Sequence, residues 1–161
     1  MTQTASLSLA DFETGLNDLL VDTFDTILKY ETSALKTLLG TTLTIGEAHM
    51  IDCIARLGEK VKVTVSQIAT QMQIAVPTAT IAIKKMEQKG YILKKPSDTD
   101  GRSVWIELTE SGKLIDRAHT IFHQRMVRNV SSQFAPEERS LLLEVISRLN
   151  QFFVRETQAV Q

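Results

Sequence analysis

Long apolar runs and cysteine are both scarce in this chain of 161 residues. No apolar run approaches the roughly 20 residues that a membrane-spanning helix needs, so we expect no membrane partner. The opening residues MTQTASLSLADFETG have neither the basic region nor the apolar region of a secretory signal. The single cysteine, Cys53, excludes an internal disulfide. These features predict a protein of a reducing cytoplasm.

The usual signs of catalysis are also missing. The sequence contains no recognisable nucleophile–base pair and no glycine-rich loop of the kind that cradles phosphates. His119 and His123 have the H-x-x-x-H spacing but lack the glutamate of the H-E-x-x-H protease motif. The sequence therefore predicts that the protein is not an enzyme.

The net charge of −1 conceals an uneven distribution of charged side chains. Residues 1–62 hold 5 basic and 9 acidic side chains, residues 63–102 hold 6 and 3, and residues 103–161 hold 7 of each. A local positive field attracts phosphates whatever the total charge. The central block is therefore the candidate for contact with a nucleic acid.

The first part of the chain reads as two helices, and its apolar residues supply a core. Apolar residues recur at helical spacing over residues 8–39, which predicts a long amphipathic helix that ends at Gly40. Thr44 and Glu47 have the spacing of a capping box for a second helix, which should end at Gly58.

The positive block reads as a helix, a turn and a second helix. Thr64 and Gln67 repeat the capping-box spacing for a short helix to about Met72. Pro77 fits only the first turn of a helix, so the next helix should begin near Ala75 or Val76 and end before Gly90. Its buried side is predicted to consist of Ala79, Ile83 and Met86.

The segment YILKKPSDTDGRSVWIEL changes to the period-two pattern of a β-hairpin, with a polar tip from Pro96 to Ser103. Thr109 should cap a following helix to about Ser132, and Pro136 should start the last one. The last helix has an apolar face too wide for one that only covers a monomer. This face consists of Leu141, Leu142, Val145, Ile146, Leu149, Phe152 and Phe153.

The predicted order of four helices, a hairpin and two helices, with the tip DTDGR, resembles the MarR family of winged helix-turn-helix regulators. The resemblance runs from about residue 12 onward and is most specific in MEQKGYILKKPSDTDGRSVWIELTESGKLI. EAHMID, KGYI and HTIFHQRMV look most like the fatty-acid-synthesis repressors of Gram-positive bacteria. The resemblance implies a mainly α fold with a small β-hairpin wing, in an intertwined homodimer. Residues 8–40 and 109–158 would form the dimerisation region, and residues 41–108 the DNA-binding domain.

The resemblance further implies a repressor that binds a pseudo-palindromic operator in double-stranded DNA. Lys84 and Lys85 would contact phosphates, and Arg102 would be the wing arginine, with Asp100 beside it. The sequence departs from the family at Gly101, where a second arginine is frequent, and at Ala75, where a Ser or Thr cap is frequent. A protein–protein module without DNA binding remains an alternative. The other implied contacts are Val76, Thr78, Thr80 and Ile81 for base edges, Thr64, Ser66 and Gln67 for a phosphate, and Lys94 and Lys95 flanking the wing arginine.

The histidines allow two readings. Glu31, His49, His119 and His123 resemble, in type and spacing, the main site of the family's zinc-responsive repressors. The same side chains could instead form hydrogen bonds in a pocket near the dimer interface. We expect no required cofactor, and we rank the possible effectors as an acyl chain (free or carrier-bound), zinc, and a phenolic or other small organic molecule.

Overall fold

The computed structural model describes residues 7–40, 43–96 and 104–159. Over these residues it contains six helices and one two-stranded sheet, which confirms the predicted mainly α fold with a hairpin. The elements are α1 (Leu9–Leu39), α2 (Ile45–Gly58), α3 (Val65–Gln71), α4 (Val76–Gln88), β1 (Ile92–Pro96), β2 (Val104–Leu108), α5 (Glu110–Ser131) and α6 (Pro136–Ala159).

The chain divides into two units, Met1–Phe122 and His123–Gln161, and the division falls inside α5. The first unit holds α1 to α4 and the sheet, while the second holds the end of α5 and all of α6. None of the helices, over the residues described, combines the length and apolar character needed to cross a membrane.

The helix boundaries in the first unit follow from local capping. Helix α1 ends at Gly40, whose left-handed φ of 60° lets its N–H reach the Lys36 carbonyl. The predicted capping boxes at the starts of α2 and α3 are both present, formed by Thr44 with Glu47 and by Thr64 with Gln67. These caps fix where α2 and α3 begin.

The core of the first unit joins α2, α3, α4, the sheet and the start of α5. Ile54, Ile68, Ile83 and Ile106 are fully or almost fully buried, so each of these elements contributes to one apolar interior. Other buried members are Met50, Ile51, Cys53, Val63, Met86, Ile92 and Ile115.

The two strands of the hairpin pair with each other, and β2 also contacts the connection between α2 and α3. β1 and β2 pair antiparallel, with Ile92 opposite Leu108 and Pro96 opposite Val104. The Ile106 N–H donates to the Val63 carbonyl at 2.8 Å, on the edge of β2 that β1 leaves open. The base of the hairpin is therefore fixed to the chain between α2 and α3.

In the second unit, helix α6 has no buried residue. Most of the predicted apolar face is open to solvent, while Leu142 and Leu149 are half-buried. The predicted face therefore has no fully buried member in its own unit. Over the whole helix, the large exposed apolar residues of α6 are Leu141, Leu143, Val145, Ile146, Phe152, Phe153 and Val154.

Candidate nucleic-acid interface and histidine cluster

Helix α4 presents the predicted base-reading residues to solvent. Ile81 is 71% exposed and Val76 is 47% exposed, while Thr78 and Thr80 are also exposed. The Thr80 hydroxyl donates to the Val76 carbonyl at 2.8 Å, so its hydrogen is already used within the helix. The opposite side is the predicted buried stripe of Ala79, Ile83 and Met86.

The lysines that follow on α4 differ in their surroundings. Lys84 and Lys85 are both exposed, as phosphate contacts must be. The Lys85 ammonium nitrogen lies 3.4 Å from a carboxylate oxygen of Glu47, on α2. Lys89, one turn further on, donates to both Glu47 oxygens at 2.8 Å. One carboxylate therefore ties the start of α2 to the last turns of α4.

The Glu47 carboxyl also accepts from the Thr44 N–H at 2.9 Å within the capping box. Burial by itself would raise the pKa of Glu47. The hydrogen bonds from Lys89 and Thr44, with the positive charges of Lys89 and Lys85, outweigh this effect and lower its pKa below the ordinary value. Glu47 is therefore held ionised where α2 meets α4. From sequence we predicted the capping role of Glu47 and not its contacts to the lysines, because these contacts join distant segments.

The two lysines at the base of the wing are engaged by acidic neighbours. Lys94 lies 2.7 Å from Glu87, and Lys95 lies 2.6 Å from Glu107. Both pairs are partly exposed, where such contacts are worth about 0–1 kcal/mol and exchange readily for a phosphate. Their role as flanks of the wing arginine stays a prediction.

The start of α3 offers fewer groups to a phosphate than predicted from sequence. Thr64 Oγ1 accepts from the Gln67 N–H at 3.3 Å, and Gln67 Oε1 accepts from the Thr64 N–H at 2.8 Å. Both side chains are thus used in capping, and the exposed Ser66 hydroxyl is the third of the predicted groups. A phosphate contact here stays a prediction.

The tip of the wing, with Asp100, Gly101 and Arg102, lies outside the described residues. The departure at Ala75 is confirmed, because α4 begins without a side-chain cap. The turn before it places Gln73 at a φ of 54°, a left-handed conformation that non-glycine residues seldom adopt. No sequence signal marked this position.

The predicted histidine cluster begins with a buried carboxylate. Glu31 on α1 is 2% exposed, and its Oε1 atom lies 2.7 Å from His119 Nε2 and 3.3 Å from His49 Nε2. One oxygen can accept a hydrogen bond from each ring, which ties α1 to α2 and α5. The candidate ligand atoms of these three residues lie within 4.8 Å of one another. His123 follows His119 by one turn of α5, so helical spacing directs both rings to one side of that helix.

Known proteins are similar to this chain in sequence and in fold. The MarR family model matches residues 43–104. FabT from Streptococcus pneumoniae, solved in complex with DNA, is 31% identical, with a TM-score of 0.81, and the match covers 89% of this chain and 98% of FabT. This chain belongs to the MarR family. The likeness to FabT agrees with the predicted placement near the fatty-acid-synthesis repressors.

Other MarR-like proteins match more distantly. PecS of Dickeya dadantii, an HTH-type transcriptional regulator, is 28% identical over 112 residues, which is 70% of this chain and about two thirds (68%) of PecS. The S. aureus MepR–DNA complex, at 18% identity and a TM-score of 0.62, covers 91% of this chain and 96% of MepR and shares the fold. As a MarR-family member, the chain is a DNA-binding transcriptional regulator and not an enzyme.

Proposed function

We propose that this protein is a cytoplasmic repressor that binds a pseudo-palindromic operator as a homodimer. The half-sites would lie about one helical turn apart, each contacted by one α4. Residues 41–108 would bind DNA, and residues 8–40 and 109–158 would form the dimer. The observation that carries the proposal is the open face of α4, where Thr78 and Ile81 precede two exposed lysines.

The apolar surface left uncovered on the terminal helices supports the dimer. In the first unit, α1 exposes Leu19, Phe24 and Leu28 among other large apolar residues. In the second unit, no residue of α6 is buried. Exposed apolar residues in such number mark an interaction site, and a second copy of the chain offers a partner with the same faces.

Genomic selection followed by gel shift tests DNA binding. Fragments retained by the purified protein would define the operator, which we then titrate at several salt concentrations. The apparent affinity should fall steeply with salt, because each neutralised phosphate contributes about 0.9 to the logarithmic slope. A protein that retains no fragment, or whose binding ignores salt, is not a DNA-binding repressor.

Charge variants locate the interface. Lys84→Gln should weaken binding to all sequences and reduce the salt slope by about 1. Lys29→Gln on α1 removes the same charge from an exposed side chain and should leave the slope unchanged. Arg102→Ala should weaken operator binding markedly and leave the dimer intact. An unaltered titration with Arg102→Ala rejects the role of the wing arginine.

For the effector, an acyl chain ranks first. The first unit has a cleft of about 660 Å³ at the end of α2 and along β2, within the range of small-molecule sites. Its lining includes the apolar Ile54, Val63 and Leu108. The charged residues of the lining are three lysines and three acidic residues, Lys60, Lys62, Lys113, Glu59, Glu107 and Asp116. The apolar residues would contact the acyl chain, and one of the lysines would pair with a terminal carboxylate. A phenolic or other small organic molecule ranks third.

Zinc is the second candidate effector. A buried carboxylate and imidazole rings are suitable zinc ligands, and Glu31, His49 and His119 already lie within 4.8 Å of one another. His123 would supply a fourth ligand from the next turn of α5. The mutual hydrogen bonds of these residues are the competing explanation for the cluster.

One titration separates the effectors. The operator complex is treated with zinc or with a long-chain fatty acid, and bound metal is measured after zinc loading. A zinc regulator should bind stoichiometric metal, and His119→Ala and His123→Ala should each abolish this binding. An acyl regulator should instead respond to the fatty acid, and this response should not require any of the three histidines. If the wild type holds no stoichiometric metal after zinc loading, zinc is rejected as the effector.

A further inference from the structure

The first two turns of α4 lack the side chains that read bases by paired hydrogen bonds. Residues 76–83, VPTATIAI, contain no Arg, Lys, Asn, Gln, Asp or Glu. Guanine is usually read by Arg or Lys, adenine by Asn or Gln, and cytosine by an acidic residue. Thr78 and Thr80 are the only hydrogen-bonding side chains in this stretch, and the Thr80 hydroxyl already donates to a backbone carbonyl. Direct readout by these turns must therefore depend mainly on apolar contact.

The geometry of α4 places an apolar group at the centre of its open face. Ile81 is 71% exposed. Pro77 and Thr78, also exposed, are its neighbours one turn earlier, while Lys84 and Lys85 are its neighbours one turn later. Phosphate contacts by these lysines would bring the isoleucine toward the floor of the major groove.

A single exposed isoleucine is ordinary on a protein surface. Here, however, helical spacing places the exposed isoleucine beside an exposed proline and an exposed threonine, and two lysines follow one turn later. The apolar feature that the major groove offers is the C5-methyl group of thymine. Resting on the proposed function, we infer that α4 reads its half-site through thymine methyl groups, with Ile81 as the main specificity-determining residue.

Uracil substitution tests this inference on the operator duplex recovered by genomic selection. Each thymine in a half-site is replaced singly by deoxyuridine, which removes only the methyl group. At least one replacement per half-site should weaken wild-type binding about four-fold, the value of one buried methyl group. Replacement of thymines outside the half-sites should have no effect.

Protein variants then assign the contact. Ile81→Ala should bind the thymine and uracil duplexes equally at the sensitive position. Val61→Ala, which shortens an exposed apolar side chain in the α2–α3 connection, should keep the wild-type preference. Thermal melting confirms that both variants are folded, as expected for exposed positions.

The outcomes distinguish this inference from the function on which it rests. If the duplex binds with a steep salt dependence but no uracil substitution in a half-site weakens binding, the inferred readout of methyl groups is wrong. The proposed repressor function then still stands. The same conclusion follows if Ile81→Ala lowers the affinity for the thymine and uracil duplexes by the same factor at every position, because the variant then keeps the wild-type preference for thymine. If no duplex is retained at any salt concentration, the proposed function and this inference fail together.

Discussion

Gly112 is required by a close approach in the first turn of α5. It is buried, and a Cβ atom there would overlap the backbone carbonyl oxygen of Tyr91 and press on Leu108. The neighbouring Thr109 Oγ1 donates to the Gly90 carbonyl and accepts from the Gly112 N–H, so the backbone has little room to shift. Gly112→Ala should therefore destabilise the fold by about 1–3 kcal/mol, the usual cost of overpacking.

Urea unfolding measures the effect of Gly112→Ala. Gly15→Ala is the matched control, because nothing lies within 4 Å of the added carbon on helix α1. This control should stabilise by roughly 0.5–1 kcal/mol through helix propensity alone. Equal responses of the two variants would show that Tyr91 can yield and that Gly112 is not fixed by packing.

The caps were predictable from sequence at the scale of single residues, whereas Gly112 was not. The capping roles of Thr44 and Thr64 can be read from a residue three positions later, since the capping box is a local pattern. The reason for Gly112 lies in Tyr91, before the hairpin. Tertiary contacts of this kind leave no periodic trace in the sequence.

At the scale of elements, Glu47 holds helix α4 against the start of α2. Glu47→Gln keeps the capping box, which accepts either residue at this position, but removes the negative charge opposite Lys89 and Lys85. Hydrogen bonds to charged groups contribute roughly 1.5–3 kcal/mol. We therefore expect Glu47→Gln to lower the free energy of unfolding by about 1–2 kcal/mol.

A double-mutant cycle with Lys89→Met assigns this loss to the contact between the two helices. The effect of Glu47→Gln should shrink substantially in the Lys89→Met background, because the principal partner is already gone. Lys95→Met removes a lysine whose partner is Glu107, and the effect of Glu47→Gln should persist there in full. Additive losses in both backgrounds would mean that Glu47 acts only within α2.

Element order was predictable because helical and alternating periods differ clearly along this chain. The stripe of Ala79, Ile83 and Met86 on α4 and the pairing of Ile92 with Leu108 are both direct consequences of these periods. The partners of exposed lysines were not predictable, since Lys94 and Lys95 find their carboxylates across helix and strand. The open face of α4 was predictable from sequence, whereas the contacts of Glu47 with Lys85 and Lys89, which hold α4 in place, were not.

For the whole molecule, the terminal helices raise the question of what covers their apolar residues. Helix α6 buries no residue in its own unit, although its face contains two phenylalanines. Burial of apolar surface contributes about 25 cal/mol per Å², so a second copy that covers this face would gain substantially. The proposed dimer therefore makes a prediction that concerns one face of α6 and not the other.

Val145→Glu should separate the dimer, and Leu143→Glu should not. Val145 lies within the predicted apolar face and is 43% exposed, whereas Leu143, 69% exposed, lies off that face on the same turns of α6. An unpaired carboxylate in an apolar interface costs several kcal/mol, which would raise the dimer dissociation constant about a hundredfold or more. Sedimentation should then show single chains for Val145→Glu at concentrations where the wild type and Leu143→Glu remain paired, and the operator should lose two-site binding only with Val145→Glu. If both variants sediment alike, this face of α6 does not hold the two copies together.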